Sequence, residues 1–342
     1  MRIAVLAPIS WRTPPQKYGP WEQVASNITE GLIESGHEVT LFATGDSITK
    51  GKLEYVCPRG YSENNELDPK VEECLHISHL MEQASKFDLI HNNFDFLPLT
   101  YSGLIKTPMV TTIHGFSSQK ILPVYKKYNS IGNYVSISDS NRSPELDYVA
   151  TVYNGINTAE FTFCTQPKDY LLFFGRIHPD KGTYEAIQIA KQSGRKLIIS
   201  GLIQDQEYFD KKIKPYLNEQ DVQYVGNSGP AKRDKLLGEA AALLHPIGFE
   251  EPFGLSVVES MLCGTPVIAF NKGSMPELII EGKTGYLVNS IPEAVEMVSK
   301  IKLIDREFCR NYASEKFSRE KMIKGYLEVY RNILEEKKQR IL

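Results

Sequence analysis

Twelve short apolar runs, spread over the whole chain and mostly separated by amphipathic helical patterns, leave this sequence few ways to fold. The first half carries Ile3–Ala7, Val39–Ala43, Leu89–His91, Met109–Ile113, Tyr134–Ile137 and Ala150–Tyr153. The second carries Tyr170–Phe174, Lys196–Ser200, Val222–Val225, Ala241–Leu244, Pro266–Phe270 and Tyr286–Val288. A strand wetted on one face alternates apolar and polar residues; a strand covered on both faces reads as a continuous apolar run. Parallel sheets with helices on both sides follow. Two sets of six strands imply an α/β chain of two doubly wound, Rossmann-like domains in series, with ligands expected at the carboxyl ends of the strands in a central cleft that the domains face.

The chain has 342 residues, a length that also favours two domains. The stretch NGINTAEFTFCTQP, residues 154–167, interrupts the pattern with Asn, Gly, Thr and Pro, which places the boundary there: 1–153 and 154–325. The polar stretch from Asp46 to Pro69 reads as loop-rich and mobile.

Net charge is −3, and residues 1–153 hold 13 Lys and Arg against 17 Asp and Glu. Neither half is basic, so nucleic acid is not expected as a partner and an anionic membrane finds no attractor, although peripheral contact is not excluded. The five cysteines are scattered without C-x-x-C spacing, which suits free thiols in a reducing, cytoplasmic compartment. Met1–Ile9 reads as a buried strand and not a signal peptide, and no run approaches the ~20 apolar residues of a membrane span.

Chemistry concentrates in HPIGFEEPFGLSVVESMLCG, His245 to Gly264. A helix is predicted from about Gly254, stopped by Gly264 and Pro266. Its unpaired first amides and partial positive charge face the loop that carries Glu251, and Glu259 lies within it. Amides for an anion beside carboxylates for hydroxyls suit a sugar nucleotide. By spacing alone the pair is unremarkable, since on one uninterrupted helix the two would lie ~12 Å apart and about 80° out of phase. The apolar company of Glu259, which includes Val258 and Leu262, demands a partner for its carboxylate.

Arg176 and Lys181 follow the strand Tyr170–Phe174, where a planar guanidinium and a point charge fit phosphate; two solvated surface cations are the plain alternative. Gly19 sits at a strand-to-helix turn, with Pro20 opening the helix, but G-x-G-x-x-G is absent and a nicotinamide dehydrogenase is disfavoured. Trp11 and Trp21 flank that loop and either stack on a sugar or acceptor or simply pack. His114 and His91 end strands, each readable as ligand contact or structural hydrogen-bonder.

His114-Gly, Tyr153-Asn-Gly-Ile, Gly175-Arg-Ile-x-x-x-Lys181-Gly, Glu251-Pro-Phe-Gly-x-x-x-x-Glu259, Gly264-Thr-Pro-Val, Pro276-Glu277 and Gly282-Lys-Thr-Gly-Tyr-Leu-Val occur in order along nearly the whole chain. Together they resemble the family 4 glycosyltransferases of the GT-B fold. The resemblance implies a retaining transferase that moves a hexose from a nucleoside-diphosphate sugar, UDP-glucose or another UDP-sugar before GDP-mannose, to a hydroxyl acceptor such as a small metabolite or oligosaccharide. No cofactor or obligatory metal is implied. Glu259 would hold the ribose, Glu251 the far hydroxyls of the sugar, and Arg176 and Lys181 the diphosphate. Amides of Phe253, Gly254 and Leu255 would add donors, His114 would lie beneath the sugar, and the base would rest near Gly201 and Val225. Gly19 would face the donor, and Trp11, Trp21 and His91 would serve the acceptor. Where many members have Gly-Gly, this chain has Gly19-Pro20, which costs a backbone donor. The last helix, 326–342, would cross back onto the first domain. A UDP-N-acetylhexosamine 2-epimerase and a non-catalytic nucleotide-sugar-binding protein are the rival readings.

Overall fold

The computed structural model describes residues 1–64, 66–116 and 119–341. It divides into two compact units, Met1–Gly155 with Arg319–Leu342, and Ile156–Ser318.

The first unit runs β1 (Arg2–Leu6), α1 (Pro20–Glu34), β2 (Glu38–Phe42), β3 (Lys52–Glu54), α2 (Pro69–Met81), β4 (Leu89–Asn92), β5 (Met109–Ile113), α3 (Leu122–Lys127), β6 (Tyr134–Ser136) and β7 (Tyr148–Thr151). Its strands form one parallel sheet in the order β3-β2-β1-β4-β5-β6-β7. β1 lies in the middle, and Ile3 to Leu6 are fully buried, as a run covered on both faces must be. The order reverses between β1 and β4, so the loops after these two strands flank the switch point.

One strand escaped the sequence reading. β3 falls within the stretch expected to be loop, because Lys-Leu-Glu is too short and too charged to stand out; such composition suits a sheet edge, where charge discourages further pairing. β7 also begins two residues earlier than expected, with Tyr148 opposite Tyr134.

The second unit runs β8 (Tyr170–Phe174), α4 (Thr183–Gln192), β9 (Lys196–Ser200), the short α5 (Gln206–Tyr208), β10 (Val222–Tyr224), α6 (Pro230–Glu239), β11 (Ala242–His245), α7 (Leu255–Leu262), β12 (Val267–Phe270), the short α8 (Met275–Leu278), β13 (Gly285–Val288), α9 (Ile291–Lys300) and α10 (Arg306–Phe317). Six parallel strands follow the order β10-β9-β8-β11-β12-β13, with the reversal between β8 and β11. Both sheets are therefore doubly wound.

The last helix, α11 (Arg319–Ile341), belongs to the first unit. It packs on α1, where Gly31 permits close approach: a Cβ there would overlap the side chain of Ile323. Arg319 pairs with Glu34 of α1 at 2.6 Å. Further along, the hydroxyls of Tyr326 and Tyr330 reach Thr112 Oγ1 at 2.8 Å and His91 Nδ1 at 2.6 Å.

Candidate active site

In the second unit, the two loops that flank the switch point carry the charged residues singled out from the sequence. Arg176 and Lys181 stand after β8, and Glu251 stands after β11. The Lys181 ammonium is hydrogen-bonded to Glu251 Oε2 and sits 4.6 Å from the centre of the Phe249 ring. Arg176 takes a different course, donating to Gln204 Oε1 and lying 3.6 Å from Asp180 Oδ2. Asp180 in turn meets His178 Nδ1 at 2.6 Å.

The Glu251 loop is held from two sides. Gly248 N–H donates to Asp180 O at 2.7 Å on the β8 side; on the other, Ser274 N–H donates to Glu251 O at 2.9 Å and Ser274 Oγ donates to Phe253 O at 2.7 Å. Gly254 closes the loop at φ +90°, where a Cβ would also press on Met275, and α7 begins at the next residue. The amides of Leu255 and Ser256 come too early in α7 for an acceptor four residues back within the helix, while Val257 N–H donates to Gly254 O at 3.0 Å.

Glu251 is almost fully buried, and burial acts to raise its pKa. The charge of Lys181 and the approach of His245 outweigh that effect and hold the carboxyl down at about 2, so it is a carboxylate at any physiological pH. His245, the last residue of β11, brings Nε2 to 3.7 Å from Glu251 Oε2, too far for a hydrogen bond, and this buried nitrogen has no hydrogen-bond partner.

Glu259 is buried on α7, and its partner is Arg233 of α6, whose Nη1 is 3.1 Å from Oε1. The Glu259 pKa is raised: burial, the largest influence, outweighs the charge of Arg233, and the charge of Glu160 adds to it. Arg233 also lies over the Phe161 ring at 5.1 Å. Gly201 and Val225 directly follow the neighbouring strands β9 and β10: Gly201 N–H donates to Gly226 O at 3.1 Å, and Tyr224 Oη donates to Gly201 O at 2.8 Å. Val225 O accepts from Lys232 Nζ at 2.7 Å.

In the first unit, the loop after β1 and the start of α1 bring together Trp11, Gly19, Trp21 and His114. The Trp21 ring stacks on His114 with centroids 5.5 Å apart, and Trp11 meets Tyr18 edge-on at 6.2 Å. Gly19 adopts φ +150° against Pro15 and Glu22. His114 Nε2 bonds to Asn93 Oδ1 at 3.0 Å, Nδ1 has no partner, and burial lowers the imidazole pKa to about 3, so the ring is neutral.

His91 cannot serve an acceptor. It is fully buried, with Nε2 on Thr112 Oγ1 at 2.7 Å and Nδ1 on Tyr330 Oη, and burial brings its pKa to about 3. Its place at a strand end suggested a ligand, but α11, distant in sequence, covers it.

Three residues were missed: Arg233, His245 and Glu22. Glu22 is buried in the first turn of α1 and accepts the Trp11 N–H at 3.1 Å. A glutamate in a first helical turn is an ordinary dipole complement, so nothing in the sequence marked it. Arg233 sits in the polar run AKRDK and looks solvated there. His245 opens the motif but is separated from Glu251 by Pro246, Ile247, Gly248, Phe249 and Glu250. Among the described residues, no group of three or more His, Cys, Asp or Glu is arranged to hold a metal ion, and no helix is long and apolar enough to cross a membrane.

Comparison with known proteins gives this geometry a class. Residues 161–318 match the family described as glycosyl transferases group 1, and residues 21–160 match glycosyltransferase family 4. The chain is a glycosyltransferase of the GT-B fold, related to both. An uncharacterised 41.2 kDa protein of the cps region of Klebsiella pneumoniae is 31% identical over 170 residues, which is 47% of this chain and 46% of that protein. The structure of AviGT4, a glycosyltransferase involved in avilamycin A biosynthesis, aligns with TM-score 0.74 at 25% identity over 98% of each chain. HepE from Anabaena, solved in complex with UDP-glucose, aligns with TM-score 0.73 at 18% identity, covering 97% of this chain and 100% of that one.

Proposed function

We propose that this chain is a retaining hexosyltransferase that moves a hexose from a UDP-sugar to a hydroxyl acceptor without a metal ion. The observation that carries the reading is the meeting of Lys181, Glu251 and the N-terminus of α7 at the switch point of the second sheet. A cation and open amides suit a diphosphate, and a buried carboxylate beside them suits sugar hydroxyls. UDP is favoured over GDP because a neighbour in fold holds UDP-glucose.

Breaking the anomeric bond places positive charge on the sugar and negative charge on the β-phosphate. Fixed donors and cations at the phosphate are then worth more in the transition state than before it. In this reading Arg176 and Lys181 receive that charge, with amides of Phe253, Gly254 and Leu255. Glu251 holds sugar hydroxyls and Glu259, paired with Arg233, holds the ribose. The base lies near Gly201 and Val225. His114, being neutral, accepts a hydroxyl hydrogen bond at Nδ1 and adds no charge. The acceptor, a small metabolite or oligosaccharide, attacks on the face the diphosphate leaves and passes its proton to a phosphate oxygen. Gly19, Trp11 and Trp21 shape the first unit's side, and the enzyme works in the cytoplasm.

A thermal-shift panel of UDP, GDP, ADP and their hexose conjugates, with and without chelator, tests the donor. Saturation at 100 times the dissociation constant adds ~2.7 kcal/mol of stability. One base should give a shift that survives chelation and fades in Glu259→Ala; no shift with any nucleotide overturns the reading. Proton NMR of the transferred sugar checks retention, and an inverted product sinks that part. Epimer formed from donor alone points to the epimerase, and binding without transfer or hydrolysis to a non-catalytic binder.

A further inference from the structure

Glu251 has two neighbours that approach one oxygen. Lys181 is bonded to Oε2, while His245 stands 3.7 Å from the same atom with a buried, unpartnered nitrogen. Their supports differ. Lys181 hangs on a flexible four-carbon stem, whereas the imidazole is fixed at the end of a buried strand and followed by Pro246. On the donor reading above, which this inference requires, Lys181 also serves the leaving diphosphate, and an ammonium that turns its three N–H donors towards the phosphate loosens its hold on Glu251. A buried carboxylate that loses its cation needs another donor or it will not stay ionised and oriented.

We propose that His245 is that donor, a positioning residue whose Nε2–H takes over Glu251 Oε2 when Lys181 turns to the diphosphate. The fixed imidazole keeps the carboxylate on the sugar hydroxyls while the mobile cation follows the charge. The shift needed is under ~1 Å, since 2.7–3.2 Å is hydrogen-bond distance. A neutral imidazole with its proton on Nε2 suffices.

The test compares wild type, His245→Leu and His245→Gln as full chains. UDP affinity is measured by calorimetry, and kcat and KM are followed as UDP release from UDP-glucose, with GDP and GDP-mannose run in parallel. His245→Leu should bind UDP within about twofold of wild type yet lose at least tenfold in kcat, and His245→Gln, which restores a donor, should recover most of it. Unimpaired turnover in His245→Leu, or a loss of nucleotide affinity equal to the loss of kcat, overturns the assignment. A measurement on wild type alone guards against a variant that does not fold: with 15N-histidine labelling, UDP-glucose should bring out a downfield imidazole N–H resonance absent from the free protein. Its failure to appear counts against His245. A wild type that binds neither nucleotide overturns the donor reading itself, and this inference with it, which is a distinguishable result.

Discussion

Arg233 Nη1 lies 3.1 Å from Glu259 Oε1, joining α6 to α7 through a pair that is largely withdrawn from water. Replacing one member of such a pair leaves a buried charge unmatched, which typically costs ~3–5 kcal/mol. Arg233→Met should therefore lower stability by about that amount in urea unfolding, and Arg233→Met with Glu259→Leu should recover most of it. A single mutant as stable as wild type would show that the pair is solvated.

Glu22 gives the first unit a pH dependence of defined sign. Burial, the largest influence, lifts its carboxyl to about 7 despite the N–H groups of Glu22 and Trp11 that favour the ionised form. Below the ordinary value of 4.5 the group is protonated in both folded and unfolded chains. Between there and about 7 the unfolded chain ionises while the folded one keeps its proton, so stability falls as pH rises and levels off above. Glu22→Gln lacks this loss. Its stability relative to wild type should grow by about 3 kcal/mol from about pH 4.5 to about pH 8, and a constant difference would refute the buried acid.

Gly254 should resist substitution for two separable reasons. Gly254→Ala must hold φ +90° and must also displace Met275 Cε. We expect a loss of ~1–3 kcal/mol from the backbone, plus a steric share that Met275→Ala relieves. If the double mutant regains full stability, the backbone part is wrong.

Tyr330 closes a buried chain of hydroxyls and imidazole. Neutral His91 is hydrogen-bonded at Nε2 to Thr112 Oγ1 and at Nδ1 to Tyr330 Oη, and Thr112 Oγ1 shares a further hydrogen bond with Tyr326 Oη. Tyr330→Phe leaves Nδ1 buried without its hydrogen-bond partner, which should cost ~1–3 kcal/mol. Calorimetric unfolding measures this, and an unchanged melting temperature would mean that α11 is not seated there in solution.

The sheets were legible because a strand buried on both faces has to be apolar throughout, and Ile3–Leu6 and Tyr170–Phe174 are so in any context. β3 was not, since an edge strand of three residues carries its identity in its neighbour. In the site, Lys181 and Glu251 were each readable from local motif, but their pairing was not: 70 residues separate them, and only the order β8-β11 sets their loops side by side.

By itself the sequence determined the elements, because periodicity and turn chemistry act over a few residues. Tertiary structure decided which polar groups answer one another. It turned His91 from a candidate ligand into a core residue beneath α11, gave Glu259 to Arg233, and left His245 Nε2 beside Glu251 without a bond. A buried polar atom is satisfied by whatever the fold brings within about 3 Å, and that distance is not written along the chain.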